Sequence, residues 1–173
     1  MSSTTATQTW VLDPVHSSIG FEVAYNGGTF RGSFREAEAR FDGESLAGSA
    51  KVASVDVKDE NLNAHLQTPD FFDAERYPEL TFESSEIERS GDAVTVRGGI
   101  TIRGVERPVE LTGTIGEPIT DAYGRERFGL TLVTAVDRTD FGVNWNAPLP
   151  SGGNALADEV KLTSELYFVP AEA

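Results

Sequence analysis

The stretch Ile19–Phe34, IGFEVAYNGGTFRGSF, decides the fold class. Ile19, Phe21, Val23 and Tyr25 alternate with Gly20, Glu22 and Ala24, the two-residue period of a strand with one buried face. Asn26-Gly27-Gly28 follows, a composition suited to the positive φ angles of a tight hairpin turn. The chain then resumes its alternation, with Phe30, Gly32 and Phe34 on one face and Arg31, Ser33 and Arg35 on the solvent face.

The same unit recurs on the C-terminal side. The apolar register moves to Ala37, Ala39 and Phe41, which predicts a bulge or bend, and Asp42-Gly43 makes the next turn. A third strand runs from about Leu46 to Val57; Val52 lies on one parity and Val55 and Val57 on the other, so its inner face stays open. Further strands carry Leu80 and Phe82; Val94, Val96, Gly98, Ile100 and Ile102; then Val109, Leu111, Gly113 and Ile115. Phe128, Leu130, Leu132, Thr134 and Val136 follow, and last Val160, Leu162, Ser164, Leu166 and Phe168. About eight amphipathic strands joined mostly by tight turns predict an all-β, antiparallel up-and-down barrel.

Two segments depart from alternation. Asp59–Pro78, DENLNAHLQTPDFFDAERYP, predicts a short helical segment at about 59–75. Asp59 is the N-cap, Leu62 and Leu66 stand one turn apart, and Pro69 forces Thr68 out of the α region. Asp70 then caps a second turn bearing Phe71 and Phe72, with Asp73 reaching back as in a capping box. The segment is a plug for one barrel end, and periodicity alone leaves open whether it also lines a cavity. Asp140–Ala157 is a long loop containing Trp145 in a polar, Pro- and Gly-rich setting, which marks it as functional or mobile.

At 173 residues the chain suits one domain, with a tail at 1–8 expected to be disordered and a barrel over 9–170. Lys and Arg number 14 against 28 Asp and Glu, a formal net charge of −14 that repels phosphate backbones. Nucleic acid and anionic membrane surfaces are thereby disfavoured as partners, and no apolar run approaches spanning length. Cysteine is absent, which excludes disulfides and thiolate chemistry. MSSTTATQ has neither a basic nor an apolar signal region, so a cytoplasmic location is expected.

A barrel of this size either fills its lumen or holds one small ligand, and Gly32, Gly98, Gly113 and Ser84 suit both readings. The order and spacing of several short motifs resemble the YceI-like family of lipocalin-like, polyisoprenoid-binding proteins, from Trp10 to about Val169. These are Trp10-Val11-Leu12-Asp13 with His16-Ser17; His65-Leu66 and Asp70-Phe71-Phe72-Asp73 with Tyr77-Pro78; Phe82 with Ser84; Ile100-Thr101-Ile102-Arg103-Gly104 with Pro108-Val109; and Arg138-Thr139-Asp140-Phe141-Gly142. The resemblance implies an extended antiparallel barrel whose elongated apolar tunnel binds a long isoprenoid, an isoprenoid quinone or another lipid chain. It implies no catalysis and no cofactor, and a homodimer only loosely. Leu62-Asn63 stands where the family tends to carry Arg-Asp, so that charge pair is missing here.

Tunnel-lining residues expected on this reading are Phe21, Val23, Phe34, Phe72, Phe82, Ile100, Leu130 and Val136, with Trp145 at a mouth. Arg138 has two readings: pairing with Asp137, Asp140 or another carboxylate, which is preferred, or binding a polar or phosphorylated lipid head. His16 and His65 have no metal-ligand spacing and read as structural hydrogen-bonding groups. The rivals to a non-catalytic carrier are an enzyme acting on a hydrophobic substrate through His16 or His65, and a packed barrel serving protein interaction or stress response.

Overall fold

The computed structural model describes residues 8–171, so the expected disordered tail lies outside it apart from Gln8. Twelve strand segments form one antiparallel sheet. They are β1 (Trp10–Leu12), β2 (Ser18–Tyr25), β3 (Gly28–Phe34), β4 (Ala37–Phe41), β5 (Leu46–Lys51) and β6 (Val55–Asp56), followed after α1 (Glu60–Leu66) by β7 (Glu79–Ser90), β8 (Ala93–Ile102), β9 (Val105–Ile115), β10 (Ile119–Thr120), β11 (Glu126–Asp137) and β12 (Leu156–Pro170). β11 pairs with both β9 and β12, which closes the sheet on itself.

The twelve segments make eight staves, because β1/β2, β3/β4, β5/β6 and β9/β10 are each one stave broken in two. β1 and β2, for instance, follow one another along the same edge of β12. The break in the third stave is a single 3-10 turn, Val52–Ser54, with Val52 buried at its start and Val55 buried just after it. That turn resets the two-residue phase, which is why the parity of Leu46–Val57 reads both ways in sequence. β1 has no periodic signal of its own, because three residues are too few to show a period.

The inward glycines serve curvature. A Cβ on Gly113 would stand 1.7 Å from the Thr131 carbonyl oxygen, and one on Gly98 2.1 Å from that of Glu83. Only a residue without a side chain lets adjacent staves press together there.

α1 is capped as its sequence predicts: the Asp59 carboxylate accepts from the Leu62 amide at 3.0 Å. The helix ends at Leu66, and residues 67–76 form turns instead of a second capped helical turn. The Asp70–Asp73 capping box does not form. Asp70 turns to His65 Nε2 at 3.0 Å, and Asp73 is buried at φ 53°. Leu66, Phe71 and Phe72 pack down into the barrel, so the segment plugs this end.

The opposite end is filled by rings. Phe128 stacks on Phe168 at 5.3 Å and takes the edges of Trp10 at 4.8 Å and Phe41 at 5.7 Å. Outside this bundle Arg127 joins two turns, bonding Asp13 and Asp121 at 2.6 Å each. Burial raises the Asp13 pKa, but Arg127, His16 and the Val15 amide outweigh it and hold the group at about 2. Asp121 is held at about 2, chiefly by Arg127. Both values lie below the unfolded carboxylate value of about 4, so the stabilisation is complete above that pH and is lost as pH falls toward 2. Thermal melts at pH 7 and pH 2.5 are expected to show a larger loss for the wild type than for Arg127→Gln; equal losses would contradict this linkage.

Candidate functional site

Between the ring-filled end and α1 lies a cavity of about 330 Å³. One stave reads its full depth: Ile19, Phe21, Val23 and Tyr25 of β2 all face it, an inward row produced by strand alternation. Phe34 of β3, Phe82 of β7, Ile100 of β8 and Val136 of β11 add the surrounding wall, and Phe72 closes over them from the plug. Phe34 and Phe72 meet edge to face at 5.8 Å. Tyr25 and Leu62 border the cavity and are also exposed, at 36% and 42%, which puts its mouth beside α1 and the β2–β3 turn.

Leu130 is a correction to the expected lining. It is 1% exposed and packs with Val96, Ile115 and Phe128 in the filled end, below the cavity. Its inward parity is the same as that of Leu132, which does line the cavity, and parity does not encode depth.

Trp145 sits at the mouth in a cluster with the plug. Its ring lies 5.4 Å from that of Phe71 and 5.3 Å from that of His65, and His65 meets Phe71 edge-on at 5.0 Å. The long loop is therefore docked onto α1 and the turn behind it.

Arg138 holds that loop in place. It is 6% exposed, and its guanidinium donates to four carbonyls: Ala157 at 2.8 Å, Val143 at 2.7 Å, Trp145 at 2.8 Å and Leu156 at 3.3 Å. Burial lowers its pKa, against the opposing pull of Asp158 and Asp137. The preferred carboxylate pairing is met by Asp158 at 3.7 Å, whereas Asp137 accepts from Thr139 and Arg107 donates to the Asp140 carbonyl. Arg138 borders the cavity, yet its donors serve the loop backbone. Asn146 adds a second brace through both the amide and the carbonyl of Leu156.

The histidines part company. His16 bonds Asp13 at 2.7 Å beside the ring-filled end, away from the cavity lining. His65 borders the cavity and has Asp70 as its hydrogen-bonding partner. Among the described residues no group of three His, Cys, Asp or Glu could hold a metal ion. Sequence reasoning missed Tyr25, Phe30, Leu62, Phe71 and His65 as lining residues. Parity pointed to Tyr25 and Phe30; the plug residues carry no signal that separates packing from lining.

A closed, helix-capped antiparallel barrel around an apolar cavity defines the lipocalin-like class. Within it, residues 10–168 match the YceI-like domain, and the chain belongs to that family. A UPF0312 protein of Staphylococcus epidermidis is 29% identical over 169 residues, covering 91% of this chain and 95% of the relative. A UPF0312 protein of Photorhabdus laumondii is 32% identical over 142 residues, 78% of this chain and 73% of that one. Among solved structures, BcnA of Burkholderia cenocepacia matches with a TM-score of 0.75 at 26% identity, covering 90% of this chain and 98% of BcnA. A polyisoprenoid binding domain from Saccharophagus degradans shares the fold, with a TM-score of 0.68 at 13% identity over 95% and 99% of the two chains.

Proposed function

We propose that the protein binds an isoprenoid-like lipid chain in this cavity and acts as a carrier or store, without catalysis. The observation that supports the reading is the lining itself, aliphatic and aromatic side chains around a cavity of ligand size. Burying an apolar chain there would supply affinity at roughly 25 cal/mol per Å² of surface, less the cost of ordering the guest. His65 is held by Asp70 among aromatic rings, an arrangement that orients a plug and offers no nucleophile. No helix among the described residues is long and apolar enough to cross a membrane.

Native mass spectrometry of the purified protein, followed by organic extraction, is the test. An adduct that dissolves into the organic phase, or uptake of added farnesol by the extracted protein, is the expected result. A bare polypeptide mass together with no uptake would refute the reading.

A further inference from the structure

The cavity stops at a floor that can be followed on three staves. On β11, Phe128 and Leu130 are packed into the filled end, and Leu132 is the first side chain of that stave to border open space. On β12 the change falls one inward pair lower, between Phe168, 0% exposed, and Leu166, which stands opposite Leu130. On β9 it falls between Ile115 and Leu111. Leu132, Leu166 and, on β5, Leu46 belong both to the packed cluster and to the cavity lining, so they form its floor. The four packed rings, Trp10, Phe41, Phe128 and Phe168, lie beneath them.

We infer that Leu132 and Leu166 act as a length ruler, setting how many isoprene units of a guest chain can be sheltered from water. This rests on the proposed lipid binding and adds a specificity rule to it. The depth follows from β2, whose six-residue rise from Ile19 at the bottom to Tyr25 at the rim corresponds to about 15 Å along a tilted stave. An extended chain advances roughly 1.2 Å per main-chain bond, so that depth shelters roughly three isoprene units. Any further unit stays outside, where it gains no burial.

The prediction is a break in affinity against chain length. Geraniol, farnesol and geranylgeraniol are titrated into extracted protein and followed by Trp fluorescence, since Trp145 stands at the mouth. Farnesol is expected to bind at least about tenfold more tightly than geraniol, and geranylgeraniol within about threefold of farnesol. Leu132→Ala deepens the floor, and geranylgeraniol should then exceed farnesol by about tenfold. Ser164→Leu works in the opposite direction and adds volume to an open wall. Ser164 lines the cavity directly across from Leu132 in the β11–β12 ladder, so this change raises the floor and should level farnesol with geraniol. It stands as the test on its own if Leu132→Ala fails to fold by circular dichroism.

An unbroken rise in wild-type affinity through geranylgeraniol, or a break that stays put in the folded variants, overturns the ruler and leaves lipid binding intact. Absence of binding by all three alcohols overturns the ruler, and together with a bare polypeptide mass it overturns lipid binding as well.

Discussion

Replacing Arg138 with methionine is expected to destabilise the fold by about 3–5 kcal/mol, the range for breaking a buried charged network. Methionine keeps the apolar stem, so packing is nearly preserved and the loss comes from the hydrogen bonds. The carbonyls of Val143, Trp145 and Ala157 would lose this donor, while that of Leu156 would keep Asn146. A buried acceptor left unpaired bears its full desolvation cost, and here three are released by one change. At about 2–4 °C per kcal/mol for a chain of this size, the melting temperature should drop by about 10 °C. Arg138→Lys should recover only part of the loss, because an ammonium group cannot match the planar fork. A melting temperature within about 2 °C of wild type for Arg138→Met would show that the loop is held by other means.

The second large effect is expected from Phe72→Asp. Phe72 joins the two clusters at the plugged end and meets Phe34 across the cavity roof. A carboxylate there must either ionise in apolar surroundings or remain protonated, and both outcomes penalise the fold. A loss of roughly 2–4 kcal/mol is expected, since Phe72 is only half-buried. Uptake of farnesol should weaken by at least about a hundredfold, as a solvated group now faces the guest. Phe72→Leu keeps the wall apolar and should hold affinity within about fivefold. A folded Phe72→Asp protein that binds as tightly as wild type would remove Phe72 from the site.

The staves were legible because each writes its own alternation, and turns such as Asn26-Gly27-Gly28 and Asp42-Gly43 fix where neighbours reverse. The bend after Phe34 was legible as a change of register, whereas the 3-10 turn at Val52 showed only as conflicting parity. Depth inside the barrel was not legible. Leu130 and Leu132 have the same chemistry and parity, and only the neighbouring rings decide which of them faces open space. The role of Arg138 was hidden for a different reason: its partners are carbonyls, which every residue carries, so no sequence pattern marks them. The Asp70–Asp73 box failed because His65, five residues back on α1, takes the Asp70 carboxylate.

On the proposed reading, a pouch entered beside α1 and the β2–β3 turn also fixes the direction of its traffic. Whichever end of a guest enters first must leave last, so the trailing group stays turned outward for the whole stay. An acceptor or a modifying enzyme could reach that group beside Leu62 and Tyr25 without the greasy remainder ever meeting water.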